Sequence, residues 1–118
     1  MDLNLKDKVA LVTGGGTGIG AGISRVLAEE GANVAVNYIV DEEQVRDFVQ
    51  SLNDRYQRSC TAVYGDISKG EDIDRMIETI LSTMGRLDFL VNNAGIWPTD
   101  EALDMPDESW KRVIEVNL

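Results

Sequence analysis

The segment Val9-Ala10-Leu11-Val12-Thr13-Gly14-Gly15-Gly16-Thr17-Gly18-Ile19-Gly20 constrains this chain most, because an apolar run ends in a glycine-rich turn that opens directly into a helix. The β-branched residues Val9, Val12 and Thr13 suit a buried strand. The glycines from Gly14 to Gly20 let the backbone turn tightly and leave no Cβ in the path of a ligand. Residues 19–30 place Ile19, Ile23, Val26 and Leu27 at helical spacing, so the helix begins inside the glycine run. Its free N–H groups and the positive end of its dipole face whatever lies over the loop, an arrangement that suits a pyrophosphate. The glycines Gly14, Gly18 and Gly20 follow the pattern T-G-x-x-x-G-I-G rather than the commonest dinucleotide fingerprint, and a purely structural turn is the alternative for the loop taken alone. A P-loop is excluded, since no Gly-Lys-Ser/Thr follows to grip a β/γ-phosphate and magnesium.

Beyond the first helix, Gly31-Ala32-Asn33 breaks the pattern and residues 34–38 read as a second short buried strand. Residues 41–56 form an amphipathic helix with Val45, Phe48, Val49 and Leu52 on one stripe. Residues 61–64 are a third strand, ended by Gly65-Asp66. Ser68 is the expected N-cap of a helix that carries Ile73, Met76, Ile77, Ile80, Leu81 and Met84 and closes at Gly85. Residues 87–91 are a fourth strand running into Asn92-Asn93-Ala94-Gly95. Strands that are short and almost wholly apolar, alternating with helices, imply an α/β fold whose parallel sheet is covered on both faces. Right-handed crossovers then set the strands in the order 3-2-1-4, a doubly wound sheet with a crevice over the carboxyl ends of the first and fourth strands. The glycine- and asparagine-rich junctions all fall on that edge. From Pro106 another helix is expected, with Asp107 in capping position and Trp110, Val113 and Ile114 on its apolar stripe. An amphipathic helix still in need of a sheet seldom closes a domain, so the sheet is expected to be incomplete on its C-terminal side and residues 1–118 to be the N-terminal part of a longer single domain.

A chain of 118 residues with 43% hydrophobic content makes one layered unit and not two. A formal charge of -10 with no histidine argues against nucleic acid and anionic membrane surfaces as partners, because affinity for both comes largely from Lys and Arg. A dinucleotide needs no net positive charge, since backbone dipoles act locally. Cys60 is the only cysteine, which rules out an intrachain disulfide and leaves no basis for a metal site; it reads as a small apolar residue beside a strand. No apolar run is long enough to span a bilayer, and the first eight residues lack the build of a secretion signal, so the expected location is cytoplasmic.

Four motifs in order carry a resemblance: Thr13-Gly14-Gly15-Gly16-Thr17-Gly18-Ile19-Gly20 at the first turn, Asp66-Ile67 after the third strand, Asn92-Asn93-Ala94-Gly95 after the fourth, and Val116-Asn117-Leu118 in the last helix. With these the chain resembles the short-chain dehydrogenase/reductase family, over its whole length but only over the cofactor-binding half of the family's Rossmann-type domain. It is closest in flavour to the 3-oxoacyl-(acyl-carrier-protein) reductase and sugar or polyol dehydrogenase branches. The resemblance implies an oxidoreductase that moves a hydride between NAD(P) and a small-molecule carbonyl/alcohol substrate, and a homo-oligomer as the complete protein.

It also implies roles. Gly14, Gly16, Thr17, Gly18, Ile19 and Gly20 would wrap the phosphates and adjoining ribose. Asp66 would accept a hydrogen bond from the adenine amine, with the Ile67 backbone at the ring edge; a turn-forming or capping Asp is the alternative. Asn93, Ala94 and Gly95 would line the adenosine ribose and nicotinamide side, and Asn92 would tie neighbouring strands. Asn117 falls on the buried stripe of its helix, where an amide must be hydrogen-bonded; the family places there the catalytic Asn that holds a water in a proton relay, and a satisfied core Asn is the alternative. The family's Ser and its Tyr-x-x-x-Lys pair have no counterpart, because Tyr38, Tyr56 and Tyr64 are followed four residues on by Glu42, Cys60 and Ser68. NAD against NADP turns on the end of the second strand, which is Tyr38. Neither Thr17 nor Ile39 offers the Lys or Arg usual in NADP users, yet no acid stands at the strand end itself, so NAD(P) is the reading. A dinucleotide-binding regulatory module without chemistry is the competing function, and an S-adenosylmethionine-dependent methyltransferase is disfavoured by Asn92-Asn93-Ala94-Gly95.

Overall fold

The computed structural model describes residues 3–93. Its elements alternate strictly: β1 (Val9–Val12), α1 (Gly18–Glu29), β2 (Asn33–Tyr38), α2 (Glu42–Tyr56), β3 (Thr61–Tyr64), α3 (Gly70–Met84) and β4 (Phe89–Val91). The four strands are parallel in the order β3-β2-β1-β4. That is the order expected from right-handed crossovers. The helix expected from Pro106 onward lies outside the described residues.

The pleat of each strand sorts its side chains between two cores. On one face Val9, Leu11, Ala35 and Val63 pack against Ile73, Met76, Ile77 and Ile80 of α3. On the other, Val12, Val34, Val36 and Tyr38 meet Ala28 of α1 and Val45, Val49 and Leu52 of α2. Leu52 and Ile80 are fully buried, each contributing about 1.5–3 kcal/mol by leaving water. Cys60 belongs to the second core and accepts a hydrogen bond from the Val34 N–H at 3.3 Å. Burial pushes its thiol pKa up, as the apolar reading of this residue requires.

The apolar stripe of α1 differs from the expected one. Ile19 is 79% exposed and Val26 54% exposed, whereas Gly20, Ser24 and Ala28 are buried. Small residues face the sheet because the glycine turn leaves α1 almost in contact with it; Ile23 and Leu27 fill the flanks. Leu81 of α3 is likewise 47% exposed rather than core.

Register sets up the crevice. Val12 pairs with Val36, so Asn37 and Tyr38 continue two residues past the end of β1, and Tyr38 pairs with Tyr64 at the end of β3. Thus β2 and β3 stand above the turn that follows β1 and form a wall on one side of it.

Candidate functional site

The turn after β1 is held from three directions. Gly14, in the left-handed region at φ 60, donates its N–H to Asn37 Oδ1 at 3.1 Å, and the Gly15 N–H goes to the Asn37 carbonyl at 3.2 Å. From beneath, Ser24 Oγ donates to the Gly15 carbonyl at 3.0 Å. From the β4 side, Asn93 Nδ2 donates to the carbonyls of Thr13 and Gly14, each at 3.2 Å, while the Asn93 N–H reaches Thr13 Oγ1 at 2.9 Å. Tying the strands is therefore the work of Asn93, where the sequence pointed to Asn92. Asn92 is exposed, whereas the Asn93 amide is turned in under the turn.

Two of the glycines answer to packing and one to open space. A Cβ on Gly20 would strike the Gly14 carbonyl and the Asn93 amide, so α1 could not approach the turn. A Cβ on Gly16 would run into Val45 of α2. A Cβ on Gly18 would meet nothing within 4 Å, yet its φ of +53 favours glycine, so the backbone here is shaped for a tight turn beneath free space. Thr17, the N-cap of α1, makes no side-chain capping bond. The first-turn N–H groups of Gly18, Ile19 and Gly20 consequently have no acceptor within the helix and present the positive end of its dipole to that space.

Beside the turn, a cavity of about 300 Å³ is lined by residues from the carboxyl ends of β1, β2 and β3. Gly14, Gly16, Thr17, Tyr38, Asp66 and Ile67 all border it, which brings together six positions chosen from sequence alone. Ile39, Val40 and Val45 complete an apolar wall. Ala94, Gly95 and Asn117 lie outside the described residues.

Asp66 adopts the turn-forming arrangement. Its Oδ1 accepts the Ser68 N–H at 2.9 Å and the Ser68 hydroxyl at 2.6 Å, and these bonds hold its carboxyl below the usual carboxylate range. Because the Ser68 hydroxyl is turned back to Asp66, Ser68 does not cap α3; the N-cap is Lys69, without a side-chain bond. The Asp66 N–H is in turn held by Asp72 Oδ2 at 2.8 Å, which fastens this corner to α3.

Asn37, to which the sequence alone assigns no role, is 2% exposed and joins the turn after β1, the end of β3 and α3. Its Nδ2 donates to the carbonyls of Val63 at 3.3 Å and Gly65 at 3.0 Å and to Met76 Sδ at 3.1 Å, while its Oδ1 takes the Gly14 N–H. A lone amide inside the run Val34-Ala35-Val36-Asn37-Tyr38 was the signal, since a buried amide demands partners. Tyr38 donates its hydroxyl to Glu42 Oε1 at 3.0 Å, and the same oxygen takes Arg46 Nε at 3.0 Å. Burial, then the Glu42 carboxylate, push the Tyr38 pKa up; the Arg46 bond, then the Tyr38 hydroxyl, draw that of Glu42 down. Among the described residues no group of three or more His, Cys, Asp or Glu is placed to hold a metal, and no helix is long and apolar enough to cross a membrane.

Comparison with known proteins agrees with this geometry. The sequence pattern of the short chain dehydrogenase family matches residues 8–118. The 3-oxoacyl-(acyl-carrier-protein) reductase FabG of Staphylococcus epidermidis is 39% identical over 112 residues, covering 95% of this chain and 46% of that protein. The 3beta-hydroxysteroid dehydrogenase 1 of Eggerthella lenta is 38% identical over 115 residues, covering 98% of this chain and 44% of that protein. The chain thus spans about half the length of the curated relatives it matches. Among solved structures, L-sorbose reductase from Gluconobacter frateurii, complexed with NADPH and L-sorbose, superposes with a TM-score of 0.83 at 26% identity, over 99% of this chain and 48% of that one. A short chain dehydrogenase from Burkholderia cenocepacia in complex with NADP gives 0.81 at 30% identity, over 95% of this chain and 50% of that one.

Proposed function

We propose, because the chain belongs to the short-chain dehydrogenase family, that the complete protein is an oxidoreductase transferring a hydride between NAD(P) and a carbonyl/alcohol substrate, and that residues 1–118 supply the half that holds the cofactor. The observation that carries this reading is the open, uncapped start of α1 over Gly18, beside a cavity walled by the ends of β1, β2 and β3. A pyrophosphate laid across that helix start meets unpaired N–H groups and the favourable end of the dipole. The adenosine half then falls to the cavity, with Asp66 and Ile67 at the base and Tyr38 at the ribose. Asn93, Ala94 and Gly95 continue the site toward the nicotinamide, and Asn117 joins the proton relay.

The nicotinamide ring, when bound, supplies the hydride or takes it up. The chain's own residues bind and orient it. Proton transfer to or from the substrate oxygen needs an acid–base group poised for the task, which the family provides as a Tyr-x-x-x-Lys pair. No such pair occurs in these 118 residues, and we assign it to the rest of the complete protein. By itself the 118-residue chain is accordingly expected to be without turnover. The proposal includes a cytoplasmic homo-oligomer. The missing pair also favours a second reading, a dinucleotide-binding regulatory module.

Calorimetric titration of the full-length protein with NAD+ and NADP+, wild type and Gly18→Val, tests the binding site. Valine at φ +53 is strained and fills the space above the turn. Loss of dinucleotide binding is expected, and unchanged affinity would place the site elsewhere. Carbonyl-reductase turnover by the full-length protein separates the enzyme from the regulatory module.

A further inference from the structure

We infer that Asp72, which does not border the cavity, is the residue that positions its adenine end, on the reading of Asp66 as the acceptor for the adenine amine. From α3 it fixes the main chain at Asp66, so that one oxygen of the Asp66 carboxylate stays open to that amine.

Every polar atom of Asp66 but one is committed within the protein. Its N–H goes to Asp72 Oδ2 at 2.8 Å, its carbonyl takes the Lys69 N–H at 3.0 Å, and its Oδ1 takes both donors of Ser68. Its Oδ2 has no hydrogen-bond partner among the described residues, and Asp66 borders the cavity. The Ser68 bonds set the rotation of the carboxyl, but they belong to the same turn and travel with it. Two bonds reach outside the turn. Gly65, just before Asp66, donates its N–H to the Tyr38 carbonyl of β2 at 3.0 Å, and the Asp66 N–H is held by Asp72 in the first turn of α3. Asp66 is thereby anchored to the sheet behind it and to a helix ahead of it.

A carboxylate in the first turn of a helix is commonplace, because it complements the dipole, and Asp72 shares that turn with Glu71. Dipole attraction does not require burial. Glu71 stands exposed, whereas Asp72 is 7% exposed, and burying a carboxylate is costly unless its oxygens are paired. Both are paired here, Oδ2 by the Asp66 N–H and Oδ1 by Arg75 Nη2 at 2.9 Å. Arg75 is more than half exposed and orients the carboxylate from the solvent side. Beyond Asp72, the residues Ile73, Met76, Ile77 and Ile80 seat α3 in the core. The packed framework thus reaches Asp66 through a charge-assisted hydrogen bond, and a supporting contact of this kind sets how accurately the group that meets a ligand is held.

Isothermal titration of the full-length protein with NAD+ and NADP+, each beside its hypoxanthine analogue, reads the adenine end separately from the rest of the ligand. The analogue presents an oxygen where adenine presents its amine. The wild type is expected to favour the adenine form of the dinucleotide it binds by about tenfold, as one hydrogen bond to a charged group allows. Asp72→Ala should weaken binding of the adenine form severalfold and leave the analogue nearly unchanged, so that the ratio narrows by at least about threefold. Asp72→Asn keeps an oxygen for the Asp66 N–H and should hold the ratio within about twofold of the wild type. Glu71→Gln removes a charge from the same turn and should leave the ratio unmoved. Should the alanine variant not fold, Asp72→Ser, whose hydroxyl stops short of Asp66, carries the same expectation. A ratio that the Ala or Ser variant leaves in place, whether both affinities hold or both fall together, would overturn the positioning role. So would an Asn variant no better than alanine, or a ratio moved as far by Glu71→Gln. A wild type that binds dinucleotide without distinguishing adenine from hypoxanthine fails one step earlier, at Asp66 itself, and one that binds no dinucleotide overturns the cofactor reading beneath both.

Discussion

Replacing Asn37 by alanine removes a side chain that touches the turn after β1, the end of β3 and α3 together. In the folded protein the Gly14 N–H and the Gly65 carbonyl would each lose the partner described above. Leaving a buried backbone group unpaired costs about 1–3 kcal/mol, so two of them set a range of about 2–6 kcal/mol. Gly14 borders the cavity, and water drawn in there relieves part of its loss, which moves the expectation to about 2–4 kcal/mol. Urea denaturation followed by circular dichroism measures this as a lower midpoint at unchanged slope. Dinucleotide affinity should fall as well, because the turn loses the contact that fixes Gly14. A loss below about 1 kcal/mol with affinity intact would refute the claim that this amide organises the site. Asn37→Asp gives an independent arm. A carboxylate there would point an oxygen at two carbonyls, so only its protonated form can replace the lost donor and its folded-state pKa is raised. Stability of this variant is therefore fully present below the unfolded value of about pH 4 and is lost as pH rises through the folded one, a dependence absent from Asn37 itself.

Ser24→Ala should cost about 1 kcal/mol in the same denaturation assay, since its buried hydroxyl bond to Gly15 is lost without a large cavity. Gly20→Ala should cost more, about 1–3 kcal/mol, because the added methyl pushes α1 off the Gly14 turn, and titration should show weakened dinucleotide binding. Asp88 is held below the usual carboxylate range by the Arg86 guanidinium first and then the Val9 N–H. Its depressed folded-state pKa means that this contribution is complete above about pH 4 and disappears as pH falls through the folded value, so Asp88→Asn should flatten the acid limb of a stability profile.

Local pattern carried the architecture and the glycine-rich turn after β1. Short apolar strands, helices with a clear stripe and the handedness of crossovers are all properties of adjacent sequence, which is why the order β3-β2-β1-β4 could be read in advance; it was the family resemblance that singled out Tyr38, Asp66 and Ile67, which border one cavity with Gly14, Gly16 and Thr17. What escaped depends on distances across the chain. Asn37 meets Gly14 over 23 positions and Asn93 meets Thr13 over 80, and no window contains either pair. The exposed Ile19 and Val26 were misplaced because apolar spacing does not reveal how close a helix must come to its sheet. Ser68 has the composition of a cap, but Asp66 two residues before it takes its hydroxyl.

The small face of α1 has a thermodynamic consequence. With Gly20, Ser24 and Ala28 pressed on the sheet and the turn pinned by Ser24 and Asn93, the helix start is seated before any ligand arrives. Ordering a loop around a phosphate ordinarily takes a share of the binding free energy, and here that share is already met in folding. Association should accordingly be governed by diffusion and desolvation, and differences between dinucleotides should appear chiefly in how fast they leave.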